Sequence, residues 1–266
     1  MTARRRHPAA GYAVLVLGLM LAGLLYAAVT EGGAASAASH ALPRQAQIAQ
    51  GKYLFNQQCS SCHGDFAQGV AGVGPSLIGV GAAAVDFQVS TGRMPGREPQ
   101  AEMPRKPVEF TTQQIHEIAA YIQSLGGGPT IPTRAQVSQA HANVGLGQQL
   151  FVADCAQCHN FVGAGGALTY GKYAPPLTKS TPTQIFEAML TGPESMPVFN
   201  DTTITPQQKR DILAYVVQTR SEPNPGGFSL GRVGPVTEGL VAFVGLLLFM
   251  VLAALWITAK HGKAHE

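Results

Sequence analysis

All four cysteines of this 266-residue chain fall in two copies of one pattern, Cys59-Ser60-Ser61-Cys62-His63 and Cys155-Ala156-Gln157-Cys158-His159. Each copy sits inside a longer repeat. The run from Gly51 to His63 matches the run from Gly147 to His159. Gly74-Pro75-Ser76-Leu77 matches Ala174-Pro175-Pro176-Leu177. Thr91-Gly92-Arg93-Met94-Pro95 matches Thr191-Gly192-Pro193-Glu194-Ser195-Met196-Pro197, and the run from Thr111 to Tyr121 matches that from Thr205 to Tyr215. Order and approximate spacing persist across four blocks. The chain therefore carries two copies of one small domain, not a solenoid, which needs at least three repeats.

The five-residue pattern reads as a c-type haem attachment site. Two thiols three positions apart on a helical turn reach two vinyl groups on one side of a porphyrin. The His directly after the second Cys then faces the ring and can bind iron. A thioredoxin-like dithiol needs a βαβ context, which the pattern does not offer. A zinc site would pair the motifs, yet 92 residues separate Cys62 from Cys155. A disulfide within each pair leaves the repeated His unexplained. Two covalently bound haem c groups are the expected cofactors, held by Cys59, Cys62, Cys155 and Cys158.

A haem that only transfers electrons needs a sixth ligand, and thioether sulfur favours Fe(II). Met94 and Met196 stand in matching Thr-Gly…Met-Pro contexts, 31 and 37 residues after their His. With His63 and His159 they are the expected axial ligands. Met103-Pro104, 40 residues after His63, is a rival in the first copy without that context. Met189 lies on an apolar helical pattern and reads as core. His116 faces Arg210 in the repeat comparison and reads as surface; His40 and His141 precede the repeats and read as solvated. The carbonyls of Pro75 and Pro175 are candidates to accept from the proximal imidazoles and fix their orientation.

Each copy begins and ends with a helical pattern, as in Ile115, Ile118, Ala119 and Ile122. Thr111 or Thr112 and Thr205 with Pro206 are expected N-caps, and Gly126 a stop. The Gly- and Pro-rich interiors show no strand alternation. The expected fold is all-α: two tandem class I cytochrome c domains, 44–126 and 141–222, between an N-terminal and a C-terminal transmembrane helix. The first helix falls in an N-terminal anchor or signal segment, 1–30. A linker (127–140) joins the domains, and a tether (223–238) leads to the second helix, 239–259, followed by a tail, 260–266.

The membrane reading rests on the ends. Ala9–Val29 and Gly239–Ala259 are 21-residue stretches without a charge, and about 20 apolar residues span a bilayer core. Trp256 sits where an interfacial aromatic is expected. Residues 44–126 carry six Lys/Arg and six Asp/Glu, and 141–221 carry five and five. The excess positive charge lies outside them, with Arg4, Arg5 and Arg6 before the first stretch and Lys260 and Lys263 after the second. A nucleic-acid binder carries its cations on the folded part, so no nucleic acid is expected. Basic flanks favour the cytoplasm, which places the haem domains outside it. Ala35-Ser36-Ala37 offers a signal-peptidase-like site, but the apolar stretch exceeds the usual 7–15 residue core, favouring a retained anchor.

Together, Cys59 to Gly64, Gly74 to Leu77 and Gly92 to Pro95, with their second copies, resemble a class I cytochrome c domain. Tandem domains between two terminal helices resemble the dihaem cytochrome c subunit of the actinobacterial cytochrome bcc complex, a menaquinol–cytochrome c reductase. That resemblance implies a relay from a Rieske iron–sulfur subunit through two haems to an aa3-type oxidase in the bacterial plasma membrane, with a cytochrome b subunit as neighbour. It implies an electron-transfer subunit of an oxidoreductase with no catalytic site of its own. The departures are Asn160 for Gly64 and Pro176 for Ser76. A dihaem peroxidase would need an open haem position, and both Met-Pro matches argue against one. A cbb3-type dihaem subunit or a free shuttle would lack the C-terminal helix.

Overall fold

The computed structural model describes residues 9–33, 43–100, 102–222, 229–232 and 234–263. Two compact units emerge, Met1–Pro43 and Arg44–Glu266. The first contains helix α1 (Ala9–Gly33), whose described apolar part is Gly11–Tyr26. Arg4 to Arg6, the Ala35–Ala37 segment and His40 lie outside the described residues.

The second unit repeats one helical plan. α2 (Arg44–Gln58), α3 (Ser60–His63), α4 (Ala82–Ser90) and α5 (Thr112–Ser124) form the first copy. α6 (Val144–Asp154), α7 (Ala156–His159), α8 (Pro182–Thr191) and α9 (Pro206–Ser221) form the second, and α10 (Pro235–Lys263) follows. Mostly helical structure was expected. The exception is a small antiparallel ladder in the second copy, β1 (Gly166–Ala167) with β2 (Tyr173–Ala174). Strands of two residues are too short for alternation to register in sequence.

The helix starts obey local chemistry. The Thr111 hydroxyl accepts from the Gln114 amide at 3.3 Å, and the Gln114 side chain accepts from the Thr111 amide at 2.9 Å. Thr181 with Gln184 and Thr205 with Gln208 close the same reciprocal box, each followed by Pro at the first helical position. In both copies the first helix crosses the last at a glycine. A Cβ at Gly51 would overlap the Glu117 carbonyl, and one at Gly147 the Asp211 carbonyl. The close approach brings Phe55 to 5.4 Å from Tyr121 and Phe151 to 5.3 Å from Tyr215, centroid to centroid. Each crossing nucleates its own apolar core.

The segment expected as a linker is partly docked. Pro129 accepts from the Ala83 amide at 3.0 Å, and Ile131 packs on the first core. Gln123 supports it, accepting from Ala82 at 2.6 Å and donating to the Gly128 carbonyl at 3.2 Å. The start of α4 is therefore capped by one carbonyl from α5, that of the Gln123 side chain, and one from beyond Gly126, that of Pro129.

The two copies meet where α4 packs on α8. Gln184 donates to Ser90 Oγ at 3.1 Å. Glu187 of α8 is 0% exposed and lies against Asp86 of α4, with no donor reaching either Glu187 oxygen. Burial first, and the Asp86 charge second, push Glu187 up to about 10 from 4.5. A proton on Glu187 supplies the missing donor. The folded chain thus binds one more proton than the unfolded chain between pH 4.5 and about 10, so stability falls as pH rises through that window. Glu187→Gln, which brings its own N–H donor and needs no proton uptake on folding, is expected to flatten this slope and to stabilise the chain at pH 8 by about 1–3 kcal/mol. Thermal unfolding at pH 5 and pH 8 checks it; parallel pH slopes for both proteins would count against a protonated Glu187.

Among the described residues, Pro235–Ala259 is the one stretch long and apolar enough to cross a membrane. Its helix starts four residues before the predicted stretch at Gly239. Proline at its first position suits a helix start.

Candidate functional site

Each Cys pair sits on a one-turn helix that leaves a longer one. Cys59 follows α2, and its carbonyl accepts from the His63 amide at 3.0 Å; Cys155 follows α6, and its carbonyl accepts from His159 at 2.9 Å. The turn places both thiols and the imidazole of each motif on a single surface. All four cysteines are free. Burial, then the neighbouring Cys62, pushes Cys59 up to about 11. Burial, then Asp154 and Cys158, pushes Cys155 up to about 12. Among the described residues no three His, Cys, Asp or Glu side chains gather as a metal cage.

The imidazoles are oriented by backbone. His63 Nδ1 lies 2.8 Å from the Pro75 carbonyl, and His159 Nδ1 lies 3.0 Å from the Pro175 carbonyl. A carbonyl only accepts, so the proton sits on Nδ1 and Nε2 keeps its lone pair. Burial lowers the His159 pKa, against the opposing pull of the Pro175 hydrogen bond. The neutral form is the one that ligates iron. The turn after each His needs left-handed backbone, at φ +77° for Gly64 and +60° for Asn160. At ψ 169° Asn160 stands in a region used almost only by glycine, and its side-chain amide donates to the Gly165 carbonyl.

In the second copy one cavity brings Cys155, Cys158, His159 and Met196 together, walled by Phe151, Leu177 and Ile185. Two thiols, an imidazole and a thioether lining one mostly apolar cavity are the donor set that a covalently attached haem requires. Met94 packs on the first core and Met196 on the second. Met103, the rival for the first site, instead lines the second cavity. Met189 is buried core. His116 has a side chain 54% exposed, with Nε2 3.6 Å from Asp86 Oδ1. His141 is exposed.

The sequence did not reveal that the second cavity has a wall from the first copy. Phe87, Arg93, Glu102, Met103 and Arg105 all line it. Glu102 holds this segment to the rim, accepting from the Tyr173 amide at 3.2 Å and from Ser195 Oγ at 3.3 Å. One signal was available: the second copy replaces the single Arg93 by Pro193-Glu194-Ser195, so the repeats are not interchangeable there.

Comparison with known proteins adds two findings. The family model described as cytochrome c oxidase, cbb3-type, subunit III matches twice, at residues 46–122 and 142–216, once on each repeat. Proteins named cytochrome bc1 complex cytochrome c subunit match nearly the whole chain. That of Corynebacterium diphtheriae is 42% identical over 96% of this chain and 95% of its own length. That of Mycobacterium tuberculosis is 44% identical over 97% and 93%, and that of Mycobacterium leprae 45% over 89% and 86%. The domain match stops short of both terminal segments, which the full-length matches include.

Proposed function

Because the chain belongs to the family of cytochrome bc1 complex cytochrome c subunits, we propose that it relays electrons through two covalently bound haem c groups, one per repeat. It is a membrane-anchored electron-transfer subunit of a respiratory complex. The observation that carries the two-haem reading is the convergence of Cys155, Cys158, His159 and Met196 on one apolar cavity, with the same residue types at matched positions in the first copy.

When bound, each haem supplies a one-electron Fe(III)/Fe(II) couple. The chain's own residues fix where that couple sits. Cys59 with Cys62, and Cys155 with Cys158, would hold the two rings covalently through their thiols. His63 and His159 would offer Nε2 to the iron while the Pro75 and Pro175 carbonyls hold Nδ1–H. Met94 and Met196 would offer sulfur as the second protein ligand, which raises the potential and would leave no position for substrate. The apolar lining of the second cavity would keep water from the cofactor, which disfavours the more charged ferric state.

The proposed surroundings follow from the family and from the ends of the chain. A Rieske subunit donates, an aa3-type oxidase accepts, and a cytochrome b subunit lies alongside. Residues 44–126 and 141–222 form the haem domains outside the plasma membrane. α10 spans the membrane with the C-terminus in the cytoplasm, and the segment before residue 30 is a second anchor. The cbb3-type description of the domain model fits the haem repeats alone, whereas α10 lies beyond them.

The haem count tests this reading. The denatured chain is expected to keep two haems through acid–acetone extraction, measured as pyridine haemochrome per chain. Cys59→Ala with Cys62→Ala should leave one. A yield near one from the unaltered chain would defeat it.

A further inference from the structure

The cavity of the second repeat contains a charge problem that the second repeat does not solve. Two cations line it, Arg93 and Arg105, and both belong to the first repeat. No Lys or Arg of the second repeat is among its lining residues. Lys172, near the rim, is turned to Ser195 Oγ at 2.9 Å. Arg93 is only 7% exposed. Its guanidinium carbon lies 5.0 Å from the Phe87 ring centroid. Burial lowers its pKa, against the attraction of the Glu194 carboxylate of the same cavity, but neither Glu194 nor any other described residue makes a hydrogen bond or a close ion pair with it. A guanidinium removed from water with no hydrogen bond to satisfy its N–H groups is costly, even with one carboxylate and a ring nearby. Arg105 is tied to the inter-repeat contact, its Nη2 lying 3.4 Å from Gln184 Oε1.

We propose that Arg93, with Arg105 beside it, binds the propionate carboxylates of the haem in the second repeat, so that the first repeat completes its partner's cofactor site. The proposal rests on the reading that the second motif carries haem. The chemistry is that of a planar guanidinium meeting carboxylate, a match that gives paired, charge-assisted hydrogen bonds. The repeat asymmetry supports it independently. Where the first copy has Arg93, the second has Pro193, Glu194 and Ser195, which bring a carboxylate and no cation. The ring carboxylates entering that cavity meet positive charge only on the wall contributed in trans. Glu102 secures that wall through Tyr173 and Ser195.

A redox titration of the isolated complex separates the possibilities. With Cys59→Ala and Cys62→Ala present, only the second haem remains. Arg93→Gln is then expected to lower its potential by roughly a tenfold shift in the reduction equilibrium, about 59 mV for one electron, because positive charge favours the ferrous state. Arg93→Lys should recover most of the loss. With Cys155→Ala and Cys158→Ala present instead, Arg93→Gln should leave the first haem's potential in place, although Met94 is its neighbour. Resonance Raman of the two-haem chain gives a second measurement if a single-haem chain fails to assemble: the propionate-bending bands should shift on Arg93→Gln. An unmoved second-haem potential and an unmoved band would overturn the proposal, as would a shift confined to the first haem. A haem yield of one from the unaltered chain would instead strike at the two-haem reading itself.

Discussion

Replacing Cys155 and Cys158 by Ala together is expected to stop oxygen consumption by the assembled complex while quinol still reduces the first haem. Replacing Cys59 and Cys62 by Ala should also stop it, but with the second haem left oxidised. We propose this order, first haem as receiver and second as deliverer, from the direction that the family resemblance implies. The charge distribution makes a serial relay more economical than two independent shuttles. Neither repeat carries a net charge that could steer a soluble partner. Holding both centres in one chain replaces steering with a high effective concentration. Stopped-flow reduction by quinol, read at the c-type α band, distinguishes the two variants. If the second haem still reduces without the first while the first stays oxidised without the second, the order runs the other way.

Met196→His should lower the second haem's potential by an amount on the order of 0.2 V, within the roughly 0.8 V that axial ligands command. Met94→His should do the same to the first. Each substitution should also remove that haem's share of the weak sulfur-to-iron charge-transfer band. Imidazole is harder than thioether and stabilises Fe(III), so the sign is downward. Met103→His is the discriminating control. Met103 lines the second cavity, while Met94 packs on the first core. Loss of the first haem's band on Met103→His, with Met94→His silent, would reassign the ligand.

Much of the site was legible because its chemistry is local. Cys59, Cys62 and His63 occupy a single helical turn, and the same holds for Cys155, Cys158 and His159. Pro75 and Pro175 could be named as acceptors because they are the matched residues after each glycine-rich loop. Thr111 and Thr205 declared the helix starts through side chains that reach only three residues ahead. What stayed hidden depends on which faces meet. Helical periodicity says that α4 and α8 each have an apolar face, not that the two faces meet and trap Asp86 with Glu187. Equal counts of acids and bases in each repeat gave no hint that Glu187 would be 0% exposed. Nothing local to Arg93 marked its role, because the cavity it lines is built mostly from Phe151 to Val216, far along the chain.

The contact of α4 with α8, the Glu102 clasp and the docked segment from Pro129 to Ile131 leave the two repeats little freedom to swing. On the proposed two-haem relay, passage of an electron from one repeat to the other is then expected to require no diffusional search. Its rate would be set by the packed protein between the two sites, and thickening the solvent with glycerol or sucrose is expected to leave it unchanged. Any viscosity dependence of turnover belongs to the parts of the respiratory assembly that move, such as a mobile donor approaching the chain.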